Sequence, residues 1–298
     1  MSICQARTGA SNPGGILVIG GDVRFVLLCG CLADRGFEVR AAAMEKAGMD
    51  SRVGVCSDIP DAVKQSRHII MPMPMTKPGG IINAPLGENQ VLIDELLGII
   101  GPGKTVFGGI MPQEIKERIA ASGSMAFDYA ALDSFAVKNA VPTAEGAVEI
   151  AIRETPFTIE GSRCLTIGYG RVAAALVKRL GALGAKNTVA VRREQVMGQI
   201  SEDGYFPIYI SEINQYIADA DIVFNTVPSL ILDEYALRNA GKNALIIDLA
   251  SKPGGVDFEC ADRLGIKTVH ALSLPGKTAP LTAAEIIADT VVGVIGSR

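Results

Sequence analysis

The sequence of 298 residues contains no tryptophan, only two histidines, and few aromatic residues, which make up 5 % of the chain. The six cysteines form no Cys-x-x-Cys pair, and His68 and His270 lie far apart in the sequence. Zinc sites need several such ligands at short spacings, so this pattern argues against a metal site. We predict instead that the cysteines are reduced, buried thiols in a cytoplasmic protein.

No segment carries a run of basic residues, and the formal net charge is −4, from 28 Lys and Arg against 32 Asp and Glu. With so few aromatic side chains available for base stacking, this balance predicts no nucleic-acid partner. No apolar stretch approaches the ~18–20 residues of a membrane-spanning helix, and the polar residues 1–13 are predicted to be a loose tail rather than a secretory signal. We therefore expect no membrane association.

Glycine is abundant, with 33 residues, and 48 % of the chain is hydrophobic. Apolar strand and helix patterns alternate along the sequence, which predicts an α/β protein with two doubly wound, Rossmann-like domains and a cleft between them. We place the first domain at residues 1–141 and the second at 142–280, with a final helix, 281–298, that packs on the first domain. A helix over 143–153 is expected to join the domains, and the Pro- and Gly-rich segment 71–80 is expected to be a loop.

The strongest motif is a Gly-x-Gly-x-x-Ala turn that follows the apolar strand 163–167 and opens a helix. The first glycine permits a tight turn, the second lets the backbone approach a pyrophosphate, and the alanine allows close packing of helix on strand. Free N–H groups at the helix start attract phosphate oxygens. The turn therefore predicts a dinucleotide site, or otherwise a glycine-rich turn without a ligand. The residues of this predicted site are Gly168, Tyr169, Gly170, Arg171 and Val172.

Cofactor choice is predicted from the end of the next strand, where an NAD site places an acid. Arg192 and Arg193 stand there instead, and two guanidinium groups suit a 2′-phosphate, which favours NADP over NAD. The alternatives are two solvated arginines, or a ribose held by Glu194. A polar turn after the following strand is predicted to contact the nicotinamide half, with an ordinary proline turn as the alternative. Its candidate residues are Thr226, Val227 and Pro228.

A small anionic substrate is expected to lie against the first βα turn and two late loops. The Gly20-Gly21 turn offers N–H groups, and Arg24 beside Asp22 adds a guanidinium fork. The loops 248–257 and 274–280 combine Gly and Pro with Lys252 and Lys277, and Thr76 is placed on a loop that flanks the cleft. The alternative for Arg24 and Thr76 is a purely structural role.

Taken in order, these motifs resemble the A-subunit family of dipicolinate synthase from spore-forming bacteria. The resemblance rests on segments 19–24, 142–146, 157–162, 168–171, 225–229, 248–258 and 272–276. It implies an NADP-linked, cytoplasmic oxidoreductase that acts with a flavoprotein-like B subunit late in sporulation. The implied reaction forms dipicolinate from a dihydrodipicolinate-type precursor, so the substrate is a dicarboxylate.

Aromatisation of a dihydropyridine requires a hydride acceptor and a modest base, for which Glu145 and Asp248 are candidates if burial raises the carboxyl pKa. Two other functions remain open. One is a 2-hydroxyacid-dehydrogenase-like enzyme, although His270 has no acid nearby in sequence and a Ser-Lys-Pro-Gly-Gly segment stands near the expected arginine. The other is a non-catalytic, dinucleotide-binding subunit. Assembly into a homo-oligomer also stays open.

Overall fold

The computed structural model describes residues 15–297, so the predicted tail lies outside the described residues. The chain divides into two compact units. Of the described residues, the first contains 15–136 together with 280–297, and the second is Val137–Ala279. Within residues 15–297, no helix is both long enough and apolar enough to cross a membrane. The His, Cys, Asp and Glu side chains of that range form no group that could hold a metal ion.

The first unit is built around a six-stranded parallel sheet whose order is β3-β2-β1-β4-β7-β8. All four residues of its central strand β1 are buried, as expected where helices cover both faces of a parallel sheet. Its elements are β1 (Ile16–Ile19), α1 (Val23–Asp34), β2 (Val39–Ala42), β3 (Gly54–Val55), α2 (Ile59–Gln65), β4 (His68–Ile70), β5 (Thr76–Lys77), β6 (Ile81–Ile82), α3 (Ile93–Ile99), β7 (Thr105–Gly108), α4 (Gln113–Ala121) and β8 (Met125–Asp128).

The long helix α5 (Asp133–Glu154) begins in the first unit and continues into the second. The second unit repeats the doubly wound pattern, with the strand order β11-β10-β9-β12-β13-β14. Its further elements are β9 (Arg163–Ile167), α6 (Arg171–Ala182), β10 (Lys186–Val191), α7 (Met197–Glu202), β11 (Phe206–Tyr209), α8 (Ile213–Tyr216), β12 (Ile222–Asn225), α9 (Glu234–Asn239), β13 (Leu245–Asp248), α10 (Phe258–Arg263), β14 (Lys267–His270) and α11 (Leu274–Thr278).

These two sheets confirm the predicted fold class of two doubly wound, Rossmann-like halves. In each half the strand order reverses between the first strand and the fourth, at β1 and β4 and again at β9 and β12. Ligands of open α/β sheets bind at such switch points, beyond the carboxyl ends of the strands. The last helix, α12 (Pro280–Gly296), shares a buried cluster with α1, in which Ile287 and Val291 pack with Phe25 and Leu28.

Three local predictions are wrong. The segment 71–80 is not all loop, because Thr76–Lys77 pairs in antiparallel fashion with Ile81–Ile82. The joining helix does not start at Thr143 but at Asp133, and it carries Pro142 in its interior. The segment 274–280 contains α11, which tolerates Pro275 because a proline in the first helical turn removes no intrahelical hydrogen bond.

Candidate functional site

The turn after β9 has the backbone that its glycines predict. Gly168 has φ of +96°, a conformation that other residues rarely adopt, and a Cβ atom there would lie 2.5 Å from Thr226 Oγ1. Thr226 is fixed in turn, because its N–H and its hydroxyl both donate to the Ile167 carbonyl, at 3.0 and 2.8 Å. Gly168 therefore allows the turn to pack against the loop that follows β12.

Gly170 serves a different purpose. A Cβ atom at this position would meet nothing within 4 Å, so the space in front of the turn is open. Gly170 is the N-cap residue of α6, and no side chain caps the helix. Ala173 is fully buried against the sheet, as close helix-to-strand packing requires. The first turn of α6 thus presents backbone N–H groups beside open space, an arrangement that suits a pyrophosphate.

A cavity of about 250 Å³ lies at this turn, and we call it the cofactor cavity. Of the predicted cofactor residues, only Arg171 and Val172 are absent from its lining, and both belong to the first turn of α6. Val191, Val196 and Ile210, which the sequence analysis did not single out, add apolar surface. The full lining is Gly168, Tyr169, Gly170, Val191, Arg192, Arg193, Val196, Ile210, Thr226, Val227 and Pro228.

The Tyr169 side chain is tied to the protein. Its hydroxyl donates to Asp203 Oδ2 at 2.6 Å, and Asp203 Oδ1 accepts from Gln199 Nε2 at 3.0 Å. Burial of the ring and the hydrogen bond to a carboxylate raise the pKa of Tyr169. The hydroxyl is therefore a protonated donor that is bonded to Asp203. The Tyr169 backbone remains available to a ligand at the turn.

The two arginines after β10 differ in their surroundings. Arg192 Nη2 donates to Ser229 Oγ at 3.0 Å, whereas no hydrogen bond or ion pair within residues 15–297 holds the side chain of Arg193. Both side chains are exposed at the edge of the cofactor cavity. The contact with Ser229 spans 37 positions, so no local pattern in the sequence could reveal it.

A buried polar network fastens the loop after β12, residues 226–232, which we call the 226–232 loop. Asn225 and Asp248 are both fully buried, and Asn225 Nδ2 donates to Asp248 Oδ1 at 2.8 Å and to the Val227 carbonyl at 3.0 Å. Asp248 also accepts from Ala250 N at 3.0 Å and from Gly255 N at 2.8 Å. The buried carboxyl group is thus bonded to three N–H donors, two on Oδ1 and one on Oδ2.

This geometry bears on both predicted bases. The Asp248 carboxylate faces protein N–H groups on each oxygen, which favours a structural role. Glu145 is exposed, and its Oε1 accepts from Arg179 Nε and Nη2 at 3.2 and 3.1 Å, so it lacks the burial on which its prediction depended. The assignment of either carboxylate as a base stays a prediction that the surroundings do not favour.

The first βα turn differs from the expected anion site. The Gly20 N–H donates to the Ala42 carbonyl and the Gly21 N–H to the Asn83 carbonyl, both at 2.9 Å. A Cβ atom on Gly20 would lie 2.9 Å from that of Ala84. The segment around Asn83 and Ala84 therefore covers the turn, and these two glycine N–H groups are not available to a carboxylate.

Arg24 is also committed within the first unit. It is 4 % exposed, and its Nε and Nη2 donate to Asp22 Oδ1 and Oδ2 at 2.9 and 2.8 Å. Nη2 donates further to the Met73 carbonyl at 3.1 Å. The fork therefore neutralises Asp22 and fastens the Met73 segment, and substrate binding by this pair stays a prediction that the geometry does not favour.

Lys252, Lys277 and Thr76 complete the predicted substrate set. Lys252 lies in the loop after β13 and Lys277 in α11, just after β14, so both follow neighbouring parallel strands at the carboxyl edge of the second sheet. Both lysines are exposed, and no ion pair within residues 15–297 neutralises them. Thr76 lies in β5 of the first unit rather than in a loop.

A larger cavity, of about 600 Å³, lies in the first unit near the ends of β2 and β3. Its lining includes Glu45, Asp58 and Glu95 but no lysine or arginine. An acidic cavity of this kind disfavours a dinucleotide or a dicarboxylate. Charge therefore favours the smaller cofactor cavity as the predicted dinucleotide site, despite the difference in volume.

Comparisons with known proteins bear on the family and the fold of this chain. Residues 15–130 match the family model of the N-terminal domain of the dipicolinate synthase A subunit. The chain is 31 % identical over 276 residues to the dipicolinate synthase A subunit of Bacillus subtilis (strain 168), covering 92 % of this chain and 93 % of that protein. The crystal structure of the dipicolinate synthase A subunit from Bacillus halodurans superimposes with a TM-score of 0.89 at 28 % identity, covering 97 % and 100 % of the two chains.

Solved structures that are more distant in sequence share the fold. A transhydrogenase from Sinorhizobium meliloti has a TM-score of 0.68 at 15 % identity, over 94 % of this chain and 93 % of that one. At that identity the likeness shows the fold alone, which is the fold of dehydrogenases.

Proposed function

The chain belongs to the A-subunit family of dipicolinate synthase, and on that premise we propose that it is an NADP-linked oxidoreductase subunit that forms dipicolinate from a dihydrodipicolinate-type precursor. Family membership and the dehydrogenase fold support the coarser statement, a dinucleotide-binding subunit of oxidoreductase type. The choice of NADP, the substrate and the partner are the parts that we propose.

One observation carries the cofactor proposal, namely the cofactor cavity with two arginines where NAD enzymes have an acid. Gly168 and Gly170 give the turn its shape, and the uncapped start of α6 offers N–H groups to a pyrophosphate. Arg192 and Arg193 then supply the positive charge that a 2′-phosphate needs.

The substrate proposal rests on charge at the same edge of the second sheet. A dicarboxylate needs at least two cationic or N–H partners, and Lys252 and Lys277 are exposed cations that no acid of residues 15–297 neutralises. They follow β13 and β14, whereas the cofactor cavity lies at the ends of β9, β10 and β12. We propose that these lysines bind the substrate carboxylates, and that Arg24, which already neutralises Asp22, contributes less.

The Gly168 turn, the first turn of α6 and Arg192 would hold the dinucleotide, which would supply the hydride acceptor for the ring. The residues around the dinucleotide would orient it, since Thr226 and Val227 line the cofactor cavity together with Arg192. The accompanying proton needs only a modest acceptor, because aromatisation supplies driving force. The structure favours neither Glu145 nor Asp248 for that task, and the proposal therefore assigns it to neither.

The proposed setting is the cytoplasm of a sporulating cell, and the proposed partner is a flavoprotein-like B subunit. The surroundings favour neither Glu145 nor Asp248 as a base, which supports one alternative, in which this chain binds the dinucleotide and the partner completes the catalytic site. Purified chain, alone and together with the B subunit, should be given NADP and the dihydropyridine, and dipicolinate should be measured by chromatography. Product from the chain alone supports a catalyst, whereas product only with the B subunit supports the alternative.

Calorimetry tests the cofactor proposal directly. The double variant Arg192→Ala/Arg193→Ala should lose NADPH affinity by at least about 10-fold, since each charged hydrogen bond contributes about 1.5–3 kcal/mol. Affinity for NADH should change little, because NADH has no 2′-phosphate. Arg238→Ala is the matched control, as it removes an exposed arginine of α9 that pairs with Glu234. An equal loss for NADPH and NADH would refute the assignment of these arginines to the 2′-phosphate.

A further inference from the structure

We propose that Ser229 is a positioning residue that sets the preference for NADP by holding the guanidinium of Arg192 in place. This inference rests on the NADP proposal above. Its observation is the hydrogen bond from Arg192 Nη2 to Ser229 Oγ, at 3.0 Å. Ser229 was not predicted as a site residue, and it does not itself line the cofactor cavity.

The bond connects two strand ends that are not neighbours. Arg192 follows β10 and Ser229 follows the end of β12, and β9, which leads into the Gly168 turn, lies between these strands in the sheet. Arg192 therefore contacts a loop from the far side of β9, at the carboxyl edge where the dinucleotide is expected. Its guanidinium has five N–H donors, and a single bond to Ser229 leaves the others for phosphate oxygens.

Ser229 is presented by a rigid backbone. Asn225 Nδ2 holds the Val227 carbonyl at one end of the 226–232 loop, and the Gly255 carbonyl accepts from Ile231 N and Leu232 N at 3.0 and 2.9 Å at the other. Gly255 packs so closely that a Cβ atom there would lie 2.9 Å from the Ser229 carbonyl oxygen. The backbone that carries the Ser229 hydroxyl is therefore held on both sides.

Phosphate binding costs less conformational entropy for a guanidinium that is already hydrogen-bonded, such as that of Arg192, than for one that is not. A long arginine side chain loses rotamer freedom when it binds, and a side chain already fixed by Ser229 loses less. Arg193 has no such support within residues 15–297. Only NADP carries the 2′-phosphate that this guanidinium would meet, so the effect of Ser229 should appear with NADP and not with NAD.

The test measures dissociation constants for NADPH and NADH on Ser229→Ala and Ser229→Thr in the full chain, with a thermal melt to verify folding. Ser229→Ala should weaken NADPH binding by about 3–10-fold and leave NADH binding within about 2-fold, since Arg192 must then lose more rotamer freedom to meet the 2′-phosphate. Ser229→Thr keeps a hydroxyl and should restore the NADPH affinity.

A double-mutant cycle then tests whether Ser229 acts through Arg192. Ser229→Ala should have no further effect in an Arg192→Ala background but its full effect in an Arg193→Ala background. If wild type does not prefer NADPH, the NADP proposal itself fails, and this inference fails with it. If wild type prefers NADPH but Ser229→Ala keeps that preference, or weakens both cofactors equally, the NADP proposal stands and the role of Ser229 is overturned.

Discussion

Replacing Asp248 by asparagine separates a structural carboxylate from a catalytic base. Both oxygens of Asp248 accept N–H groups, from Asn225 and Ala250 on one side and from Gly255 on the other. An amide has one oxygen, so its NH2 group must face at least one of these donors. The Asn225 amide cannot turn to compensate, because its oxygen accepts from Val227 N and its nitrogen donates to the Val227 carbonyl.

We therefore expect Asp248→Asn to lose at least one charge-assisted hydrogen bond and to destabilise the second unit by about 1.5–3 kcal/mol or more. Urea denaturation gives the stability, and hydrogen exchange of peptides covering residues 226–232 and 249–257 localises the change. Asp257→Asn is the control, since Asp257 caps α10 through one bond to Cys260 N, and asparagine caps equally well. A variant as stable as wild type whose turnover falls about 10²–10⁴-fold would refute this reasoning and establish Asp248 as the base.

Four further predictions address local features. Gly168→Ala should cost about 1–3 kcal/mol of stability in urea, because of its positive φ and the close contact with Thr226, and an unchanged midpoint would contradict this. Gly170→Val should stay folded but lose NADP binding in calorimetry, because the added side chain enters the open space in front of the turn, and normal binding would contradict the assignment of this turn to the pyrophosphate. Lys104→Met should destabilise the first unit by about 1–3 kcal/mol in urea, because Nζ donates to three carbonyls at the end of α2, and an unchanged midpoint would contradict this. Hydrogen bonds from Arg163 lower the pKa of Asp221, so the stabilisation by Asp221, about 0.2–1 kcal/mol, should be complete above the ordinary pKa of 3.8 and should vanish as the pH falls through the lowered pKa. The urea midpoints of wild type and Asp221→Asn should therefore differ at pH 7 and converge in acid, and a difference that does not change with pH would contradict the ion pair.

Elements whose signal is local were predictable from the sequence. The strand β9 was predicted with its observed bounds, because a buried apolar run there meets a glycine turn. The short helices α3, α7 and α9 and the edge strand β11 were not predicted, since six or seven residues show little periodicity and Pro207 interrupts β11. The pairing of β5 with β6 was not predicted either, because the prolines and glycines of this segment favour a loop, whereas the pairing depends on backbone contacts between the two short strands rather than on β-propensity.

The candidate site divides in the same way. The Gly168 turn was predictable because a positive φ and an open approach are requirements of single positions. The Ser229–Arg192 bond was not, because it joins residues that are distant in sequence. Arg24 is a third case. Its partner Asp22 stands two positions away in the sequence, but sequence alone could not show that the Arg24 guanidinium binds the Asp22 carboxylate rather than a ligand.

The covered glycine turn of the first unit determines how many dinucleotides we expect each chain to bind. Both units share one strand order, but at Gly20-Gly21 the Asn83 carbonyl occupies an N–H group that a pyrophosphate would need, and Ala84 fills the space beside it. A titration with dinucleotide should therefore reach its end point at one molecule per chain, although the architecture appears twice. A pair of glycines after a first β-strand can thus serve close chain packing as well as nucleotide binding. The two cases differ in whether another chain segment or open space lies in front of the turn.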